Sequence, residues 1–476
     1  MREKISRIPT KSLFKLLNTT VGGEVMSYIK NRATLLSHGN VNLRRDTLDI
    51  IDHALLMSDP YFQVKKLVSL QGNRLKVGQL EYNLDQYGRI FVLGAGKATY
   101  PIAKALEEIL GGKIESGVII CKYGQEGTLS FCELHFANHP IPDEAGVTAS
   151  QSMMDIAQNT QPKDIVFCCI TGGSTSLMPL HVDTISLDDL KQTYKLLLRS
   201  GANIIEMNAV RKHLSRIKGG WLAKNIHPEA ELINLTVSDV IGDPLDYITC
   251  PTVPDTSTFD DARATLTKYN LWEKLPKSVC TYLKKAGQDQ ETPKKLSDHK
   301  IHNFIIVKGD EACVAAMTKA QELGYNSMIL TTMLEGESKE AGSTFAAIAK
   351  EIVENNRPLK KPCVVISGGE TTIRITGKAG EGGPNQQFAL SAATWIEGLN
   401  NVVIASIDTD GTDGVSTLAG GIVDGKTMEK ARLKGIDLQK HINEFDDTPA
   451  LQALGDGIFT GATGTNVNDL QLMLVR

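Results

Sequence analysis

Apolar runs that stop on glycine constrain this chain more than any other feature. Ile90 to Leu93 runs into Gly94, Ala95, Gly96 and Lys97, and Ile165 to Ile170 runs into Thr171, Gly172, Gly173, Ser174 and Thr175. Val364 to Ile366 leads to Ser367, Gly368, Gly369, Glu370 and Thr371, and Val402 to Ile407 leads to Asp408, Thr409, Asp410 and Gly411. Each run has the length and composition of a strand buried on both faces. The glycine at its end lets the backbone come close to a ligand. After Lys97 a helical pattern continues through Ile102, Ala103 and Leu106, so the first run opens a strand, turn and helix unit of Rossmann-like type, with helix amides facing an anion. The fold class is therefore α/β.

At 476 residues the chain is too long for one ordinary core. The reading divides it into an N-terminal arm, 1–45, a Rossmann-like domain with a parallel sheet, 46–290, and a second α/β domain with a mixed sheet, 301–476. A polar linker precedes the second domain, which is expected to start on a strand from Asn303 to Val307 and to close over the first with the ligand between them. A net charge of -4, with no basic run carrying interleaved aromatics, gives no footprint for nucleic acid. No run of 18 apolar residues is present, so no membrane partner is expected. The eight cysteines lack metal-ligand spacing and read as thiols of a reducing cytoplasm. A homodimer is left open.

Any anion site must then be local. On a helical wheel Val210, Leu214, Ile217 and Trp221 form one stripe, while Asn208, Arg211, Lys212, Ser215 and Lys218 gather opposite it. Such a stretch is either a buried helix whose polar face binds a carboxylate or phosphate, or an ordinary solvated basic face. Lys97 is unusual because a cation at a helix start opposes the helix dipole unless an anion joins it. Gly94 and Gly96 lack the third glycine of a dinucleotide fingerprint, and the Walker spacing is absent too. Gly172, Gly173, Ser174 and Thr175 make a candidate phosphate nest. His139, before Pro140, either nears the ligand or braces a turn. Asp239 ends a strand and is a candidate metal ligand or proton acceptor. Asp408 and Asp410 are further metal candidates, although no glutamate completes an EF-hand there.

Taken together, these stretches resemble the glycerate 2-kinase family, two-domain proteins with a C-terminal MOFRL domain, here about 361–474. The resemblance rests on Gly94–Ala98, His139–Glu144, Asn208–Ser215 with Lys218–Gly220, Ser238–Asp243, Pro251–Asp255, Ser367–Thr372, Asp408–Gly414 and Thr463–Asp469. It implies ATP-dependent phosphorylation of the 2-hydroxyl of D-glycerate with Mg2+, in a cleft between the domains. Lys97 matches the family's active-site lysine, and Arg211 lies in its substrate-side helix. On that reading Lys97, Arg211 and Asp239 are catalytic, and Asn208, Lys212, Ser215 and Lys218 bind substrate. Gly94, Gly96, Gly172, Gly173, Ser174, Thr175 and Ser367, Gly368, Gly369, Glu370 and Thr371 bind nucleotide, and Asp239, Asp408 and Asp410 bind metal. Relatives labelled hydroxypyruvate reductases supply an alternative, NAD(P)H-dependent activity, and a kinase of a larger hydroxy acid is another. The chain departs from the family pattern at Ser174, Cys250, Pro384 and Gln387.

Overall fold

The structure, a computed structural model, describes residues 27–238, 244–248, 250–375 and 377–476. A small antiparallel sheet comes first, β1 (Val68–Gln71), β2 (Arg74–Val77) and β3 (Leu80–Asn83). The first large sheet contains β4 (Ile90–Ala95), β5 (Ile114–Lys122), β6 (Glu133–Ala137), β7 (Ile165–Ile170), β8 (Glu231–Val237) and β9 (Lys300–Val307). Its order is β6-β5-β4-β7-β8-β9, and every pairing is parallel. The chain leaves β4 in one direction across the sheet and returns on its other side at β7. The carboxyl ends of β4 and β7 are therefore the topological switch point where such sheets bind ligands. Both strands are buried at every position, as their unbroken apolar runs require.

The second large sheet contains β10 (Asn326–Glu337), β11 (Cys363–Thr372), β12 (Val402–Asp408), β13 (Gly420–Asp424), β14 (Gly457–Ile458) and β15 (Asp469–Val475), in the order β10-β11-β15-β12-β13-β14. β10 and β11 are parallel and the remaining pairings antiparallel, which gives a mixed sheet. Because β15 runs against both its neighbours, its first residue, Asp469, stands level with Gly369 on β11 and with Asp408 at the end of β12. Three glycine-rich or acidic stretches thus meet at one edge.

Two expectations about where the units begin are corrected. β9, expected to open the second domain, is the sixth strand of the first sheet, because Val237 and the residues before it offer a parallel edge that its apolar stretch completes. The helix Val41–Met57, cut by an arm ending at 45, packs on the helix Glu311–Glu322 and on the second sheet. Arg44 in that helix is wholly buried, with Nε donating to Asp424 (2.6 Å) and Nη1 to Asp456 (2.9 Å). Leu48, Ile51 and Leu55 then seal a core running from Val92 and Ile233 of the first sheet to Ile366 and Leu472 of the second. Full burial of such side chains stabilises by about 1.5–3 kcal/mol each.

The stretch from Asn208 to Gly220 is not one helix. A capping box of Asn203 and Glu206 starts a helix at Ile204, and it ends at His213. Ser215 takes over the backbone there: its hydroxyl donates to the Leu180 carbonyl and accepts from the amides of Ile217 and Lys218. Val210, Leu214 and Ile217 are buried, and Arg211, Lys212, Ser215 and Lys218 are each less than a tenth exposed, whereas Arg216 is exposed and Trp221 half-buried.

Candidate active site

At the switch point, β4 and β7 approach so closely that a side chain on Gly96 would strike Thr171, its Cβ lying 2.1 Å from Oγ1. Gly96 has φ of +141°, a conformation open to glycine. The crossing is locked by the Lys97 amide donating to the Gly172 carbonyl (2.8 Å). Gly173, at φ +86°, has no side chain to separate two neighbours. A Cβ there would lie 3.3 Å from Lys97 Cγ and 3.4 Å from His139 Nε2. The glycine pair therefore allows a lysine and a histidine to stand side by side.

Lys97 Nζ reaches to the second sheet and donates to Asp410 Oδ2 at 2.7 Å. The other Asp410 oxygen accepts from the amide and hydroxyl of Thr412, while Asp408 Oδ1 accepts from the Asp410 amide. Lys97, His139 and Gly173 face Glu370, Asp408, Asn466, Asn468 and Asp469 across a polar cavity of about 210 Å3. Asp469 Oδ1 accepts from Asn385 Nδ2 (2.7 Å), and its Oδ2 accepts from the amide and hydroxyl of Thr371.

The carboxyls of this cavity are hard to ionise. Burial, then the charges of Asp410 and Asp469, raises Asp408 well above the ordinary range. Burial also pushes Asp469 up to about 7 against the donors that hold it, and raises Glu370 despite Lys97. His139 moves the other way, down to about 4, through burial and then the ammoniums of Lys97 and Lys122, with Asp410 opposing. One cavity thus presents a lysine, a neutral imidazole and several carboxyls short of positive charge. Among the described residues no three His, Cys, Asp or Glu side chains are spaced to hold a metal ion by themselves. The donor chemistry nevertheless suits Mg2+, which is bound by one or two carboxylates together with waters and substrate phosphates.

The basic residues sort into distinct roles. Lys212 is consumed by buried ion pairs with Asp246 (2.6 Å) and Asp255 (3.1 Å), and Ser215 is consumed by its turn, so neither is free for substrate. Arg211 stacks on the buried Tyr194 ring at 5.0 Å, and its Nη1 reaches Asn208 at only 3.5 Å. Its Nε is buried with no hydrogen-bond partner among the described residues. Lys218 donates to the Met178 carbonyl, just past the short helix that begins beside Gly173. Burial, then nearby Arg211 working against Cys250, lowers Lys218 to about 8. Among the described residues neither Arg211 nor Lys218 has an ion-pair partner, which leaves two buried cations suited to an anion.

Of the expected nucleotide residues, Gly173 and Glu370 line the cavity and Thr371 holds one of its walls. Gly94 and Gly368 are packing glycines, the first against Thr99 and the second against Cys313, and Gly369 allows close approach of the Leu334 backbone. Ser367 is buried and donates weakly to the Thr331 carbonyl at 3.3 Å. Gly172 joins the site through its carbonyl, Ser174 is buried in the short helix, and Thr175 is half-buried. Asp239 lies outside the described residues. Sequence reasoning assigned no role to Asn466, Asn468 or Asp469, although their motif was visible, and left His139 open.

Residues 46–284 match the model of a domain of unknown function, DUF4147, and residues 363–469 match the MOFRL family. The chain is 42% identical to a protein of Pyrococcus horikoshii named glycerate 2-kinase, with 91% of this chain and 98% of that protein covered. The chain belongs to the glycerate 2-kinase family. A solved structure titled glycerate kinase, from Thermotoga maritima, superposes with a TM-score of 0.79 at 38% identity, covering 91% of this chain and all of that one. A protein of Agrobacterium vitis named putative hydroxypyruvate reductase is less similar, at 34% identity over 94% of this chain and 98% of its own length. The mixed α/β architecture and the two matched regions agree with that family. No helix among the described residues is long and apolar enough to cross a membrane.

Proposed function

We propose that this chain is an ATP-dependent glycerate 2-kinase that transfers the γ-phosphoryl group to the 2-hydroxyl of D-glycerate in the cavity between the two sheets. The observation that carries the reading is the meeting of Lys97, from the switch point of the parallel sheet, with the carboxyl-rich edge of the mixed sheet through Asp410. Phosphoryl transfer asks a protein chiefly for positioning and charge neutralisation. Lys97 would stabilise charge on the transferred phosphoryl oxygens, with Asp410 fixing its ammonium rather than serving as a metal ligand. Asp408 and Asp469 would hold Mg2+, which when bound neutralises phosphate charge. Asp239 stays a candidate metal ligand from sequence alone. Gly172, Gly173 and Ser174 would border the nucleotide phosphates.

Arg211 and Lys218 would take the glycerate carboxylate, since a guanidinium presents paired donors that match its two oxygens. Eight unpaired cysteines support a cytoplasmic setting. A coupled assay with ATP and D-glycerate, run with and without Mg2+, tests the reading. ADP formation dependent on both substrates, with phosphorus NMR placing the phosphate on C2, is the expected outcome. Oxidation of NAD(P)H by hydroxypyruvate with no ATP requirement would instead establish the reductase, and preference for a four-carbon acid would change the acceptor only.

A further inference from the structure

We infer that His139 is the base that accepts the proton of the acceptor hydroxyl, an inference that rests on the kinase reading above. The imidazole stands on the connection between β6 and the helix Glu144–Gln158, on the cavity wall beside Lys97. Its Nε2 edge is brought in by the absent side chain of Gly173, the same absence that admits Lys97. Among the described residues neither ring nitrogen is hydrogen-bonded. Burial first, then Lys97 and Lys122, keep it uncharged, and Asp410 opposes them. Glu370, Asp408 and Asp469 stand elsewhere on the cavity wall.

Three of these four neighbouring carboxyls, all but Glu370, are committed elsewhere. Asp410 spends its oxygens on Lys97 and Thr412, and Asp408 and Asp469 are the carboxyls that would hold Mg2+. A carboxyl that does ionise is also the group that an ammonium or a divalent cation draws to itself. A neutral imidazole is left with an open lone pair at the reaction centre. In the transfer the 2-hydroxyl oxygen bonds to the γ-phosphorus while the bond from that phosphorus to the β–γ bridging oxygen breaks. The hydroxyl proton passes to a His139 ring nitrogen, and ADP departs with the bridging electron pair. Polyphosphate in the cavity stabilises the imidazolium so formed, and the proton then returns to solvent.

The test compares wild type with H139Q and H139N, using full-length protein. Both variants are expected to lose about 100-fold or more in kcat. Their KM for ATP and for D-glycerate should stay within about threefold, and their melting temperatures close to wild type. In both, the His139 component of the acid limb of the kcat profile should disappear, leaving only the limb of the carboxyls that hold Mg2+, and millimolar imidazole should restore part of the turnover of H139A. A side chain that only braced the turn would produce neither the lost limb nor the rescue. Turnover in H139Q within about threefold of wild type, an unmoved acid limb, or losses matching only the loss of folded protein would each overturn the assignment. A wild-type protein that transferred no phosphate would defeat the kinase reading itself, a result distinct from a failure of His139.

Discussion

At the scale of single residues, the cavity is decided by which polar groups have their hydrogen bonds filled and which do not. Lys97 is held at 2.7 Å by Asp410 yet still faces the cavity, so Lys97→Met should lose about 10²–10³ in kcat. Far-ultraviolet dichroism should be unchanged, and near-normal turnover would remove Lys97 from the catalytic group. Arg211 has the opposite signature, a buried donor with no acceptor among the described residues. A charge-assisted hydrogen bond contributes about 1.5–3 kcal/mol, so Arg211→Met should raise KM for D-glycerate about 10- to 100-fold. KM for ATP should hardly move. Steady-state kinetics with each substrate varied in turn decides this, and equal effects on both constants would place Arg211 elsewhere. Residue type alone predicted that Arg211 and Lys218 bind an anion. It gave the same prediction for Lys212 and Ser215, because two aspartates distant in sequence and one turn hydroxyl are invisible to a helical wheel.

At the scale of elements, glycines that look alike in sequence do different work. Gly173 sits in left-handed backbone beside Lys97 and His139, so Gly173→Ala combines backbone strain with displacement of two active side chains. The strain is about 1–2 kcal/mol, and kcat should fall about tenfold or more. Chemical denaturation and kinetics on one preparation measure both, and an alanine variant with unchanged kcat would sever that turn from the chemistry. Gly94, Gly368 and Gly369 open strand ends in the same manner yet serve packing, since the atoms that fill their missing side chains come from other elements. The buried strands β4, β7 and β12 were legible from their apolar runs, whereas β13 and β15, buried throughout but interrupted by glycine, aspartate or glutamine, were not. The end of the helix at His213 was not, because Ser215 commits to the Leu180 carbonyl only after the two segments have met.

At the scale of the whole molecule, the two sheets share one continuous core, pinned by Arg44 between Asp424 and Asp456. Removing one partner of such a buried network costs about 3–5 kcal/mol, so Arg44→Met should lower the melting temperature sharply. A shift of under a degree or two would show that the helix docks without it. Several acids make the stability depend on pH in a definite direction. Burial, then Asp413 and Asp446, raises Asp447 to about 8, and burial raises Asp469 to about 7 and Asp413 to about 6 against their hydrogen bonds. Their unfolded values lie near 4. Between those limits the folded chain holds more protons than the unfolded one, so this contribution to stability is full below about pH 4 and is lost as pH rises toward 8. Asp424 acts oppositely: burial would raise it, but Arg44 overrides this and holds it low, so its stabilisation disappears as pH falls through that depressed value. Melting temperature should therefore be higher near pH 5–6 than near pH 8. Asp447→Asn should flatten that slope, and an unaltered slope would exclude Asp447 as its source.

The sequence by itself determined the α/β class, the strands that are unbroken apolar runs, the glycine-terminated turns and the family, because these follow from local periodicity and from motifs contiguous along the chain. Only the tertiary structure decided that β9 completes the first sheet, that Lys212 is neutralised, and that His139, Lys97 and Asp469 line one cavity. Burial and charge pairing between residues tens to hundreds of positions apart depend on which faces meet once the chain has folded. No local pattern carries that information.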